Sequence, residues 1–372
     1  MKKIPIAAAV AAALTMTVAP NLQAEEGSSL DIGRFVIAGY GDVSYVETDN
    51  PDANSNVESR FVPIFLFQLS EKIHIESELE FSLGANGETE VEMEYADIHY
   101  FLNDNTTITA GKFLLPFGQF GPNIHPSWIN KLPSGPGLYG HGGNGSLAPL
   151  VPVMSDTGIN IRNSFNIGSS KLFTDFYVVS GPREEEEEVG GGGEGEEGGH
   201  GAIPEVGFEA GKGDNNSDKA FGGRVAYAFL PSIEVGYSFY NGSYSNDATL
   251  DYSASAIDFN WIGTYSTIRG EIIETSTDFL DEDDGEIDVF DRGGWYLQGS
   301  WQMRQLGKDA LNPFELVLRY SEINDALEGE RWTFGVNYWL EASTALKVAY
   351  EDTTLEDGDT DNRVFVQLAF GF

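Results

Sequence analysis

Residues 362–372 read Asn-Arg-Val-Phe-Val-Gln-Leu-Ala-Phe-Gly-Phe. Stepping back in twos from Phe372 gives Phe370, Leu368, Val366 and Val364, all apolar. Between them stand Gly371, Ala369, Gln367, Phe365 and Arg363. Successive strand side chains point to opposite faces, so this pattern predicts a strand with one face toward lipid and the other toward water. In a bilayer every backbone N–H and C=O must be paired within the protein, which only a helix or a closed barrel achieves. The expectation is therefore a barrel of such strands.

The same stretch resembles the C-terminal strand of Gram-negative outer-membrane β-barrels, in which a terminal Phe belongs to the assembly signal. The resemblance implies the outer-membrane assembly machinery as a partner, engaged through the Phe372 strand. The other end of the chain supports export. Lys2 and Lys3 precede an apolar run, Ile4 to Val18, followed by Pro20-Asn21-Leu22-Gln23-Ala24. This is the layout of a secretory signal cut after Ala24. The run is shorter than the roughly 20 apolar residues of a spanning helix. Residues 1–24 are thus read as a signal peptide and 25–372 as a single barrel in the cell outer membrane, with outer-membrane lipid as a partner.

Composition agrees. The chain has 24 Phe, 16 Tyr, 6 Trp, 44 Gly and no Cys. An exported chain without disulfides needs another staple, and a closed ladder of strand hydrogen bonds supplies one. The net charge of −38 excludes nucleic acid as a partner. The five His fall in no HExxH or triad-like spacing, so no enzyme is expected and no cofactor is implied.

Alternation and turn signals mark sixteen candidate strands: 31–47, 60–70, 73–84, 89–102, 107–113, 155–166, 171–180, 220–229, 232–242, 249–262, 265–275, 292–304, 313–323, 330–340, 344–352 and 362–372. Short turns alternate with long connections at 48–59, 114–154, 181–219, 276–291 and 353–361, the asymmetry of an up-and-down antiparallel barrel. Fourteen and eighteen strands are the alternatives.

Charge facing acyl chains at mid-bilayer costs about 2–4 kcal/mol, so strand charges are assigned to the lumen. The pore-lining set is His74, Glu76, Glu78, Glu80, Asp97, Arg162, Arg224, Arg269, Glu271, Glu315, Arg319, Arg331, Lys347 and Arg363. Both signs occur in similar number, which predicts a water-filled pore crossed by a transverse field. The competing reading is a lumen filled by mutual salt bridges.

Residues 114–154 hold eight Gly and seven Pro and form neither helix nor strand. They also carry aromatic residues that can pack, so this segment is the candidate constriction. Its residues of interest are Lys112, Phe117, Phe120, His125, Trp128, Lys131, Tyr139 and His141. The stretch Ala110-Gly111-Lys112-Phe113-Leu114-Leu115-Pro116-Phe117-Gly118-Gln119-Phe120 resembles the GKF…PFG element of the porin O/P superfamily, which includes phosphate-selective and siderophore porins. The resemblance implies a loop that folds into the pore after strand 5, and a homotrimer. Phosphate selectivity is not carried over, because Lys112 and Lys131 are the only Lys or Arg residues from Thr106 to Ile161.

The Glu/Gly tract within 181–219 is self-repelling and reads as a disordered external loop. The acidic runs 281–286 and 357–361 lack full calcium-loop spacing and read as solvated hairpin tips, with no metal site assigned. The expected function is a porin passing small hydrophilic solutes or ions, weakly cation-selective because of acid at the mouth. The alternative is an outer-membrane receptor or channel for a metal complex or siderophore.

Overall fold

The computed structural model describes residues 34–49, 55–83, 87–140, 147–152, 154–184, 206–208, 215–281, 285–325, 328–356, 358 and 360–372. The predicted signal, His141 and the centre of the 181–219 tract lie outside them. Sixteen antiparallel strands close into one barrel. They are β1 (Phe35–Thr48), β2 (Asn56–Ser70), β3 (Ile73–Leu83), β4 (Thr89–Asn103), β5 (Thr106–Leu114), β6 (Ser155–Ile167), β7 (Ser170–Val179) and β8 (Ala220–Leu230). The second half comprises β9 (Ile233–Ser243), β10 (Asp251–Ile262), β11 (Ser266–Leu280), β12 (Ile287–Gln302), β13 (Phe314–Asp325), β14 (Gly329–Glu341), β15 (Thr344–Leu355) and β16 (Arg363–Gly371). Each strand pairs with its sequence neighbour, and β16 closes on β1.

The closing seam shows why the 362–372 pattern works. Phe372 donates its N–H to the Gly39 carbonyl at 2.9 Å and accepts from the Gly39 N–H at 3.1 Å. Its ring stacks on Phe61 with centroids 5.6 Å apart. A Cβ on Gly41 would lie 2.8 Å from the Phe370 ring, so the bare backbone lets that ring lie flat on the seam.

The outer face is a band of exposed apolar side chains, among them Leu316, Leu318, Phe334, Val336, Leu346, Val348, Val366 and Leu368. A surface this apolar requires a lipid medium. Toward the long-loop end the band finishes in aromatics: Trp295 and Tyr320 have centroids 5.2 Å apart, Tyr320 and Trp332 4.7 Å. The Tyr320 hydroxyl donates to Glu330 at 2.8 Å, one end in lipid and the other in the polar layer.

Several expected boundaries move: residues 56–59 and 353–355, read as loop, extend β2 and β15. Residues 276–280 and 287–291, read as loop, extend β11 and β12, with Leu280 opposite Ile287. Their outward face mixes polar Ser276, Asp278 and Asp291 with apolar Leu280, Ile287 and Val289, so the apolar period that marks a strand is interrupted there. Between Arg304 and Asn312 the chain makes two short 3-10 turns.

Candidate functional site

The segment 115–154 leaves β5 and re-enters at β6, its ends pinched by the Leu115 N–H bond to the Met154 carbonyl at 2.8 Å. It then crosses the interior. Gly118 has φ +60°, and a Cβ there would sit 2.1 Å from Glu271 Oε2. Only glycine fits that turn. The Gly118 N–H donates to Ser238 Oγ at 3.0 Å, and the Gln119 and Phe120 N–H groups donate to the Glu271 carboxylate at 3.3 and 2.8 Å. Successive backbone N–H groups form a concave nest for an anion, and here the anion is a side chain of β11. The hydroxyls of Tyr139 and Tyr296 donate to the same carboxylate at 2.6 and 2.7 Å.

A second attachment runs along β12–β16. Glycines in the wall accept side chains of the segment: Leu132 sits against Gly335 and the Trp128 indole against Gly371. Apart from a π-helical turn at Phe120–Ile124, a departure from the expected absence of helix, this Pro- and Gly-rich segment leaves carbonyls without regular partners. The cations of the wall supply donors. Lys347 donates to the carbonyls of Asn130, at 2.6 Å, and Ser127. Arg319 donates to the Ser134 carbonyl at 3.1 Å and its hydroxyl at 2.8 Å. Arg292 donates to the carbonyls of Ala148 and Pro149 at 2.7 and 2.8 Å. Lys131 pairs with Glu315.

Beneath this cover lies Glu351, fully buried. Arg363 contacts it at 2.6 Å, Arg319 at 3.5 Å and Arg331 at 3.8 Å, and Ser134 donates its hydroxyl to it.

The opposite wall is different in sign; its Asp42, Glu78 and Asp97 are buried like the basic half, while Glu76, Glu80 and Glu92 keep some exposure. Asp42 on β1, Glu76, Glu78 and Glu80 on β3, and Glu92 and Asp97 on β4 share the inward face, with Arg60 of β2 among them. Arg60 contacts Asp42 at 3.0 Å and Glu80 at 3.8 Å. Tyr40 donates to Glu78 at 2.9 Å. At the short-turn end His74 lies opposite His99, and their Nε2 atoms stand 3.1 Å from Glu76 and 3.0 Å from Asp97 respectively. The side chains of Glu76 and Glu80 keep 19% and 14% of their surface accessible, and Glu92 is exposed.

The structure corrects three expectations. The charges of the lumen do not face one another across open water, because the basic half (Arg319, Arg331, Lys347, Arg363, and Arg269 on β11) is buried and largely roofed by the segment. The aromatics Phe117, Phe120 and Tyr139 are anchors packed against Ile273 and Tyr296 rather than an aperture lining. Lys112 belongs to β5, not to the segment: it alternates with buried Phe113, so it points to the other face and donates to the Met93 carbonyl at 2.6 Å. Arg162 pairs with Asp175 at 2.8 Å and Arg224 with Asp258 at 2.6 Å, both on inward positions of the β6–β10 wall.

Sequence reading missed Arg60 and Asp42. Strand β2, Asn-Val-Glu-Ser-Arg-Phe-Val-Pro-Ile-Phe-Leu-Phe, is apolar on both faces past Arg60, so no alternation reveals an inward side. Glu94 was also missed. It is the extra residue of a bulge where the β3–β4 register shifts between Glu78 and Leu79.

His125 provides a pH test of the latch. Burial pushes its imidazolium down to about 4, against a raising contribution from the Gly121 carbonyl that accepts its Nδ1–H. A folded value below the unfolded one makes stability complete above the ordinary value near 6.5 and lost as pH falls toward 4. Protection of the 121–130 amides, measured against the intrinsic exchange rate at each pH, should therefore fall between pH 6.5 and 4, and His125→Leu should abolish that fall. An equal fall in the variant would place the titration elsewhere.

Neither a family model nor a curated protein matches the sequence. Solved structures do match in shape. An anion-selective porin from Comamonas acidovorans is 14% identical with a TM-score of 0.58, over 91% of this chain and 99% of that one. Salmonella typhi OmpF, solved with daunomycin, is 12% identical with a TM-score of 0.58, over 91% and 97%. The trimer form of Vibrio cholerae OmpT is 9% identical with a TM-score of 0.54, over 91% and 99%. The fold is that of these outer-membrane proteins.

Proposed function

We propose that this protein is an outer-membrane porin: a homotrimeric, water-filled channel for small hydrophilic solutes and ions, weakly cation-selective. The observation that carries the reading is a closed sixteen-stranded barrel whose lumen holds a segment latched to one wall beside an acidic wall on which Glu76 and Glu92 keep accessible surface. Barrels of about this strand number enclose an aqueous channel. Shared shape with an anion-selective porin and with OmpF, and with OmpT, an outer-membrane protein in a trimer form, supports the same reading.

The test is electrical. Folded protein in planar bilayers should give ohmic single-channel steps, and its reversal potential in a KCl gradient should lie on the cation side. Folded protein that never conducts would overturn the reading. Acid at the mouth contributes a screened part. Exposed charges interact over about 10 Å at 0.1 M salt, so replacing Glu184 to Glu188 by Gln should lower cation preference at low salt and leave it unchanged at 1 M.

A further inference from the structure

We infer that the pore has a second constriction, at its loop-side mouth. Residues 181–184 and 206–208 form a strap inside the barrel rim there, and Phe208 limits the size of solute admitted. The inference rests on the porin reading and deepens it by naming the residue that sets the size limit.

The connection from β7 to β8 is acidic and Gly-rich, and along the chain it reads as solvated. Its described ends enter the barrel. Gly181 has φ +113°, a conformation that favours glycine, and its N–H donates to Asp156 Oδ2 at 2.8 Å. Pro182 follows. A Cβ on Gly242 would lie 2.9 Å from the Pro182 ring, so the bare backbone of β9 admits it. Gly242 shares the inward face of β9 with Ser238 and Tyr240, so the chain passes inside the rim. Arg183 and Glu184 then pair antiparallel with Gly207 and Val206, which brings Phe208 to the same wall. Its ring meets Tyr252 edge-on with centroids 4.9 Å apart, and Tyr240 at 6.2 Å. Both tyrosines are buried.

Amide side chains clamp this arrangement to the β9–β10 connection. Asn246 donates to Glu184 Oε2 at 2.8 Å. Asn215 donates to the Tyr244 carbonyl at 2.8 Å, and Asn216 to the carbonyls of Ser243 and Ser245 at 3.1 and 3.0 Å. The connection between β7 and β8 is thus tied to one hairpin both where it enters and where it leaves. These bonds also satisfy carbonyls that a tight turn leaves without ladder partners.

Packing decides where the strap acts. Val206 and Phe208 lie against the buried cluster to which the latched segment contributes Leu150, Val151 and Met154. The two inserted elements therefore share one wall and stack along it. Ser238, which holds Gly118 of the segment, lies two residues deeper on β9 than Tyr240, which holds Phe208. Phe208 is only half-buried. The tyrosines hold one side of its ring, and the other side faces the water path. A large, rigid side chain fixed in this way narrows the mouth without adding charge.

The experiment sizes the pore from each side. Polyethylene glycols of graded mass are added to one face of a planar bilayer at a time. A polymer that enters lowers conductance, so the smallest polymer without effect marks the limit at that face. In the wild type the loop-side limit should be smaller than the turn-side limit. Phe208→Ala should move the loop-side limit to a larger polymer and leave the turn-side limit unchanged. The clamp variant Asn216→Ala/Asn246→Ala keeps the ring and should move the loop-side limit in the same direction. Heat-modifiable migration on gels shows whether each variant is folded, and where Phe208→Ala is not, the clamp variant decides by the same criterion. Equal limits in the wild type, or a folded Phe208→Ala channel with the wild-type loop-side limit, overturn the inference and leave the porin reading intact. A shift of both limits by Phe208→Ala also overturns it, because the ring would then be holding the deeper segment. Absence of any conductance in the wild type overturns the porin reading itself.

Discussion

Replacing Glu351 with Ala should destabilise the folded barrel by about 3–5 kcal/mol, the usual cost of breaking a buried ion pair from one side. The carboxylate is the shared partner of Arg319, Arg331 and Arg363, at 3.5, 3.8 and 2.6 Å. Arg319 and Arg331 have no accessible surface, so neither can turn to solvent. The Thr333 hydroxyl, which donates to Glu351 at 3.1 Å, loses its acceptor as well. Urea unfolding in detergent micelles, followed by heat-modifiable migration on gels, reads the loss. A shift under about 1 kcal/mol, the scale of an exposed pair, would show that the cluster is hydrated in solution. Ser134 would also lose its grip on this wall. The uncovered guanidinium groups would then oppose cations, so a variant that still folds should be less cation-selective than the wild type.

Removing Glu271 should open the pore more than any other single change. Its carboxylate accepts from the Gln119 and Phe120 N–H groups and from the hydroxyls of Tyr139 and Tyr296, at 3.3, 2.8, 2.6 and 2.7 Å. In Glu271→Ala each stranded donor costs about 1–3 kcal/mol if it stays buried. The cheaper outcome is for 115–125 to leave the wall and take its donors to water. Single-channel conductance should rise, and a protease added from the loop side should cut within 115–140. Glu271→Gln keeps one acceptor oxygen and should fall between the two. A Glu271→Ala channel with wild-type conductance and no new cleavage would show that the β12–β16 contacts hold the segment alone. Gly118→Ala attacks the same turn from the other side, because its methyl would collide with the Glu271 carboxylate; it should resemble Glu271→Ala in conductance.

These expectations separate what can be read along the chain from what cannot. Alternation at 314–320, 331–338, 345–351 and 364–372 determined strands, faces and the lipid medium, because a strand's facing depends only on its own period of two. Charge in those strands determined which side chains point inward, because lipid excludes them. The Pro, Gly and aromatic content of 114–154 marked a packed but irregular insertion, and Gly118 stood in a recognisable turn. What lay beyond reach was contact between distant residues. Lys347 meets Asn130 and Glu271 meets Phe120 across more than a hundred residues of chain, and no local pattern records which inward charge will be roofed. The sequence by itself determined the barrel and the lumenal charges of the strands that alternate cleanly, though not Asp42, Arg60 or Glu94. Only the tertiary structure decided which of those charges water and ions can reach, because a field in a pore depends on what covers a charge as much as on its presence.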